Sequence, residues 1–180
     1  MASELEREKT YLARYIPAQI NGARSEVIRD IYIPDIDHAN IRLRQRGEIL
    51  ELTKKVPVES NDSSRQSEDT IPLTQQEYEA FLSISKKALV KRRFYCTIYG
   101  HDAEVDVYLK KLEGLVLIDF EFNSDDAMAK FEPPECCLAD VTQDIVSAAG
   151  RLAGKSYRDI ESQLADFGYQ PLYLEEENKL

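Results

Sequence analysis

Four carboxylates stand at alternate positions of one predicted hairpin. In AEVDVYLKKLEGLVLIDFEF, residues 103–122, Glu104 and Asp106 share a face of the first strand, and Asp119 and Glu121 share a face of the second. Val105, Val107, Val116, Ile118, Phe120 and Phe122 point the other way. Two readings fit such a row. One is a solvated sheet face; the other is a seat for a hard divalent cation, which takes carboxylate oxygens as ligands. The hairpin alone leaves both open.

Other segments carry charge with the same period. Arg42, Arg44 and Arg46 share a face of IRLRQRG, with Ile41 and Leu43 opposite. Glu51, Thr53 and Lys55 share a face of ELTKKVP, and Lys91 and Arg93 share one in KRRFYC. Near the start, ELEREKTYL places Glu4, Glu6, Glu8 and Thr10 on one side. A solvated sheet mixes signs, because like charges facing each other repel. Arginines gathered on one strand and carboxylates on another suit a polyphosphate with its metal ions. Guanidinium forks grip phosphate oxygens, while carboxylates hold the cations that bridge to them.

The elements that must position these groups are mostly strands, expected near 4–12, 27–34, 40–46, 48–56, 67–73, 90–99, 102–109 and 114–122. QRGEI and YGHDA read as tight turns between neighbours. The polar stretch VESNDSSRQSEDT, residues 58–70, reads as a mobile hairpin tip. Three helices are expected. TQQEYEAFLSISKKAL opens on a capping-box pair, Thr74 and Glu77; TQDIVSAAGRLAG ends at Gly154; SYRDIESQLADFG ends at Gly168. The class is therefore α+β, an antiparallel sheet or closed barrel with helices on its outer apolar faces.

A length of 180 residues suits one domain spanning 1–180. The net charge of −10 argues against nucleic-acid binding through a basic surface. The first residues lack the apolar core of a secretion signal, and no apolar run approaches the ~20 residues of a membrane helix. A cytoplasmic protein with no membrane partner is expected. Cys96, Cys136 and Cys137 have no CxxC spacing and read as small apolar residues.

Taken in order, these motifs resemble the CYTH superfamily, the triphosphate tunnel metalloenzymes. The landmarks are EREKT at Glu6–Thr10, RLR at Arg42–Arg44, TKK at Thr53–Lys55, KRR at Lys91–Arg93, EVD at Glu104–Asp106 and DFE at Asp119–Glu121. CLADVTQD resembles the segment that follows the last long strand of that family. The resemblance runs from about Glu4 to about Tyr157. It implies an eight-stranded antiparallel closed β-barrel whose charged faces line a tunnel. Thr10 departs from the pattern, because the family has Lys in that slot.

The resemblance also implies metal-dependent hydrolysis of a triphosphate, with inorganic triphosphate first and ATP or thiamine triphosphate as further substrates. Arg42, Arg44, Lys55, Lys91 and Arg93 would bind phosphate oxygens, with Lys155 as a candidate at the tunnel end. Glu6, Glu8, Glu104, Asp106, Asp119 and Glu121 would surround Mg²⁺ or Mn²⁺, and Glu6, Glu8 and Lys55 would act in catalysis. A class IV adenylate cyclase, a thiamine triphosphatase and a non-catalytic polyphosphate or nucleotide binder are the alternatives, and a homodimer is compatible with the resemblance. Arg46 reads as solvated beside a turn, Glu51 as lumenal or ion-paired to a nearby arginine, and Glu68 as a candidate substrate or metal contact. His38 and His101 sit in turn-like settings.

Overall fold

The computed structural model describes residues 4–34, 36, 39–60, 62–144 and 146–175, so His38 lies outside the described residues. Eight antiparallel strands close into a barrel. They are β1 (Glu4–Ala13), β2 (Arg24–Ile33), β3 (Ile41–Arg46), β4 (Ile49–Glu59), β5 (Asp62–Pro72), β6 (Ala88–Ile98), β7 (His101–Leu109) and β8 (Val116–Glu121). The order around the barrel is β5-β4-β3-β2-β6-β7-β8-β1, and β1 returns to β5 through pairs running from Glu4↔Glu68 to Arg7↔Arg65. Closure leaves no long bare edge. A short ninth strand, β9 (Cys137–Asp140), pairs with the end of β1 that extends past β5.

Alternation does the sorting. The apolar outer residues of β6, β7, β8 and β1, among them Phe94, Val105, Ile118, Phe120 and Tyr11, pack under Met128, Phe131 and Leu174. On the opposite wall, Ile31, Ile33, Leu43 and Leu50 pack under Tyr78 of α1 (Gln75–Phe81). That helix starts as the sequence implied, with Thr74 and Glu77 forming a reciprocal capping box. A third cluster, with Leu12, Tyr32, Leu89, Tyr108, Leu152, Ile160 and Leu164, fills one end of the barrel. It packs under α3 (Ala149–Leu152) and α4 (Tyr157–Asp166), so that end is stoppered.

Three expectations need correction. The helix expected across TQQEYEAFLSISKKAL stops at Phe81, and Leu89 belongs to β6 instead. The stretch 58–70 is no mobile tip, since its residues from Asp62 onward belong to β5. Pairing with β4 on one side and β1 on the other holds that polar run extended, which no hydrophobic pattern could signal. The helix expected across TQDIVSAAGRLAG shrinks to Ala149–Leu152. Asp140 and Asp144 accept hydrogen bonds from the backbone N–H of Thr142 and Val146, and these Asx turns compete with helix. A short helix, α2 (Asp125–Ala129), capped by Ser124, was not foreseen. Among the described residues, no helix is long and apolar enough to cross a membrane.

Candidate active site

The charged faces of the strands line a cavity of about 950 Å³ inside the barrel. Its wall includes Glu4, Glu6, Glu8 and Thr10 from β1, Arg42, Arg44 and Arg46 from β3, and Glu51 and Lys55 from β4. Lys91 and Arg93 of β6, Glu104 and Asp106 of β7, and Asp119 and Glu121 of β8 complete it. The period-two pattern thus brought together every predicted site residue except Lys155. That lysine is absent from the wall; its backbone N–H donates to Leu152 O, and its charge reaches Asp159. Arg151 lines the stoppered end instead.

Most of the cations are already engaged by acids. Lys55 donates to both oxygens of Glu8 at 2.9 and 3.0 Å and stands 2.6 Å from Glu6. Gln66 of β5 also donates to Glu8, at 3.0 Å. Lys91 and Arg93 share Asp106, the arginine through Nε at 2.7 Å and Nη2 at 2.6 Å, while Arg93 Nη1 meets Glu104. Arg46 is not the solvated residue expected, because it lines the cavity and donates two hydrogen bonds to Glu51. Glu51 lines the cavity and is an ion-pair partner as well, so both of its readings hold. Glu68 faces the cavity too and accepts from Arg42 Nη2 at 2.9 Å.

Two arginines keep donors in reserve. Arg44 offers Nε and Nη2 to the two oxygens of Asp30 at 2.8 and 2.9 Å. Among the described residues, its Nη1 has no acidic partner. The buried Nε of Arg42 has no hydrogen-bond partner at all among them. A buried donor without a partner is costly, and an anion beside it removes the cost. Arg42 and Arg44, at alternate positions of β3, thus form the side of the cavity where guanidinium donors are uncommitted.

Asp30 was not foreseen from sequence. It is 0 % exposed, an acid in the largely apolar run VIRDIYI of β2. Its signal was parity: it stands opposite Arg44 in the β2–β3 register. Burial would raise its pKa, yet Arg44, with Arg42 and Lys91 behind it, outweighs burial and holds the carboxyl at about 2. Tyr32, Tyr95 and Tyr108, also in the wall, carried no charge to mark them.

Glu104 of β7 and Asp119 and Glu121 of β8 are in the opposite condition. Glu104 lies across from Asp119, and Glu121 across from Glu8. Burial, with Glu8 and Asp106 nearby, pushes the Asp119 carboxyl up to about 7. Burial raises Glu104, and burial with Glu6 raises Glu121. The cation beside them is shared: Arg93, already bound to Asp106, also meets Glu104 and stands 3.7 Å from Asp119. Among the described residues, no three acidic, His or Cys side chains converge into a ready-made metal cage. The donors nonetheless fit a hard divalent cation, because they are carboxylate oxygens crowded together and short of countercharge.

Thr10 confirms the inward register of β1. It faces Asp119 across the β1–β8 ladder, and its hydroxyl donates to Asp119 Oδ1 at 2.7 Å. Its backbone is held by the stopper, donating to Thr142 Oγ1 and accepting from Val141 N–H. Thr10→Lys would put an ammonium against an acid short of countercharge. We expect the fold to persist and metal-free affinity for inorganic triphosphate to rise at low salt. Titration calorimetry checks this; equal or weaker binding would mean that Asp119 consumes the added charge.

No protein-family model matches the sequence, and no curated protein matches it. Solved structures do. A crystal structure of NE1496 described as an inorganic triphosphatase has a TM-score of 0.61 at 25 % identity, covering 82 % of this chain and 93 % of that one. A second crystal structure of NE1496 gives 0.62 at 25 % identity, over 84 % and 99 %. A Bacillus halodurans protein, described as a candidate adenylate cyclase, shares the fold alone at 14 % identity, with a TM-score of 0.50 over 98 % of this chain and 97 % of that one.

Proposed function

We propose, on the premise that the chain is a CYTH-type tunnel protein, that it is a metal-dependent triphosphatase whose first substrate is inorganic triphosphate. One observation carries the reading: a closed barrel with a wall of both signs, in which two arginines of one strand hold spare donors while the carboxylates of two others outnumber the cations beside them. The likeness to the inorganic triphosphatase NE1496 supports it.

Arg42 and Arg44 take phosphate oxygens with their uncommitted nitrogens. Lys55, Lys91 and Arg93 add positive field and neutralise charge that develops as the phosphoryl group moves. Glu6, Glu8, Glu104, Asp106, Asp119 and Glu121 would hold Mg²⁺ or Mn²⁺. Such an ion, when bound, neutralises and polarises phosphate oxygens. Glu6 and Glu8 orient the attacking water, and Lys55 between them keeps Glu8 ionised against its burial. Phosphoryl transfer asks for little more than such positioning and charge.

The wall carries more carboxylates than cations, so triphosphate by itself meets repulsion. With metal present, the acids turn to the metal and the lysines and arginines to phosphate. Mg²⁺ and inorganic triphosphate together should therefore raise the melting temperature by more than the sum of their separate shifts. A ligand at 100 times its Kd stabilises the fold by about 2.7 kcal/mol, which is readable in a thermal melt. Shifts that merely add would remove the exchange of partners from the account.

The deciding assay is phosphate release from inorganic triphosphate, ATP and thiamine triphosphate, each with Mg²⁺ or Mn²⁺. Release fastest from inorganic triphosphate is expected. No release under any of these conditions, with binding retained, would leave a non-catalytic binder of triphosphate.

A further inference from the structure

We propose that Asp30 is a positioning residue of the triphosphate site, holding the Arg44 guanidinium so that its Nη1 edge faces the substrate. The proposal rests on the triphosphatase reading. A tunnel that binds a polyanion has no evident use for a fully buried carboxylate among its cations, and the geometry supplies one.

A guanidinium presents two forked edges, one through Nε and Nη2 and one through Nη1 and Nη2. Asp30 occupies the first edge of Arg44 with two bonds of 2.8 and 2.9 Å. Two bonds fix the plane as well as the position. The second edge then has no acidic partner among the described residues. Its counterparts differ: Arg93 has Nε and Nη2 on Asp106 and Nη1 on Glu104, and Arg46 has Nε and Nη2 on Glu51 with Nη1 3.8 Å from Glu26.

The location adds to the case. Asp30 belongs to β2, directly opposite Arg44 of β3, on a rigid paired element. Its other charged neighbours are Arg42 and Lys91, so it also subtracts from the positive field of the anion side. Removing it should have two opposed consequences. Ground-state attraction for triphosphate grows, while Arg44 loses its aim at the moving phosphoryl group. Only the second bears on the transition state.

The test is Asp30→Asn, which keeps the shape but places an amide N–H₂ against a donor of Arg44. Rates of phosphate release from inorganic triphosphate with Mg²⁺ are compared for wild type, Asp30→Asn, Arg44→Lys and the double variant. Arg44→Lys keeps the charge and abolishes the fork. For Asp30→Asn we expect kcat to fall at least tenfold with no rise in KM. The double variant should fall no further than Arg44→Lys, because Asp30 acts through Arg44.

A kcat within twofold of wild type, a loss appearing only in KM, or losses that multiply in the double variant would each overturn the proposal. A purely structural ion pair would lower the melting temperature and leave kcat per folded molecule unchanged. Should Asp30→Asn fail to fold, Asp30→Glu keeps the ion pair and shifts the guanidinium by a methylene, and the same lowered kcat at unchanged KM is expected. A wild-type protein that releases no phosphate would refute the triphosphatase reading and this proposal with it. Normal wild-type turnover with an unaffected Asp30→Asn variant would refute the proposal alone.

Discussion

Asp106→Ala is expected to cost the fold about 3–5 kcal/mol, the usual result of removing one partner of a buried ion pair. Asp106 is 1 % exposed and serves two cations, accepting from Lys91 and from both Nε and Nη2 of Arg93. Its carboxyl is held well below the ordinary carboxylate range: burial opposes this, and Arg93 and Lys91 overcome it. Burial, with Arg93 alongside, already lowers the Lys91 pKa even with Asp106 in place. Without Asp106, Lys91 loses its acid, while Arg93 keeps Glu104 at Nη1 and has Asp119 3.7 Å from Nη2. Urea denaturation of the metal-free protein measures the loss. Asp119→Asn is the contrasting variant, since neutralising an acid that burial, Glu8 and Asp106 push up to about 7 should not destabilise the metal-free fold. A loss below about 1 kcal/mol for Asp106→Ala would mean that the lumenal cations re-pair freely, and that the wall is softer than its register suggests.

Arg42→Ala should do the reverse, sparing the fold and disabling the site. We expect kcat/KM for inorganic triphosphate to fall by about 10²–10³-fold, the scale seen when one preorganised donor to developing charge is removed. Arg42 is tied to the wall by one carboxylate, Glu68, which also accepts from the Thr70 hydroxyl at 3.2 Å and so is not left bare. The unpartnered Nε of Arg42 is the strongest sign that something outside the chain completes this part of the cavity. Arg42→Lys should recover little, because an ammonium cannot reproduce the fork. Steady-state kinetics with Mg²⁺, on protein whose fold is verified by circular dichroism, decides it. A variant with wild-type kcat/KM would take Arg42 out of the substrate site and leave its orphaned donor without an account.

The sequence by itself determined which side chains face inward. A strand has a period of two, so one apolar face and one charged face on each of β1, β3, β4, β6, β7 and β8 were enough to select the charged wall residues of those strands before any was paired. It also determined the start of α1 and both glycine stops, Gly154 and Gly168, because caps and positive φ are local requirements. What it could not determine is partnership. Lys55 is paired with Glu6 and Glu8, and Arg93 with Glu104 and Asp106, only because barrel closure brings β4 beside β5 and β5 beside β1, and sets β6 against β7. The strand character of Asp62–Pro72 came from neighbours on both sides, against its composition. Asp30 had no pattern to mark it until β3 was laid alongside, and Lys155 fell outside the cavity that Arg151 lines. Facing is a one-residue property and reads directly from spacing; pairing depends on loop closure between distant segments, so the tertiary structure decided which charges neutralise each other and which remain for a ligand.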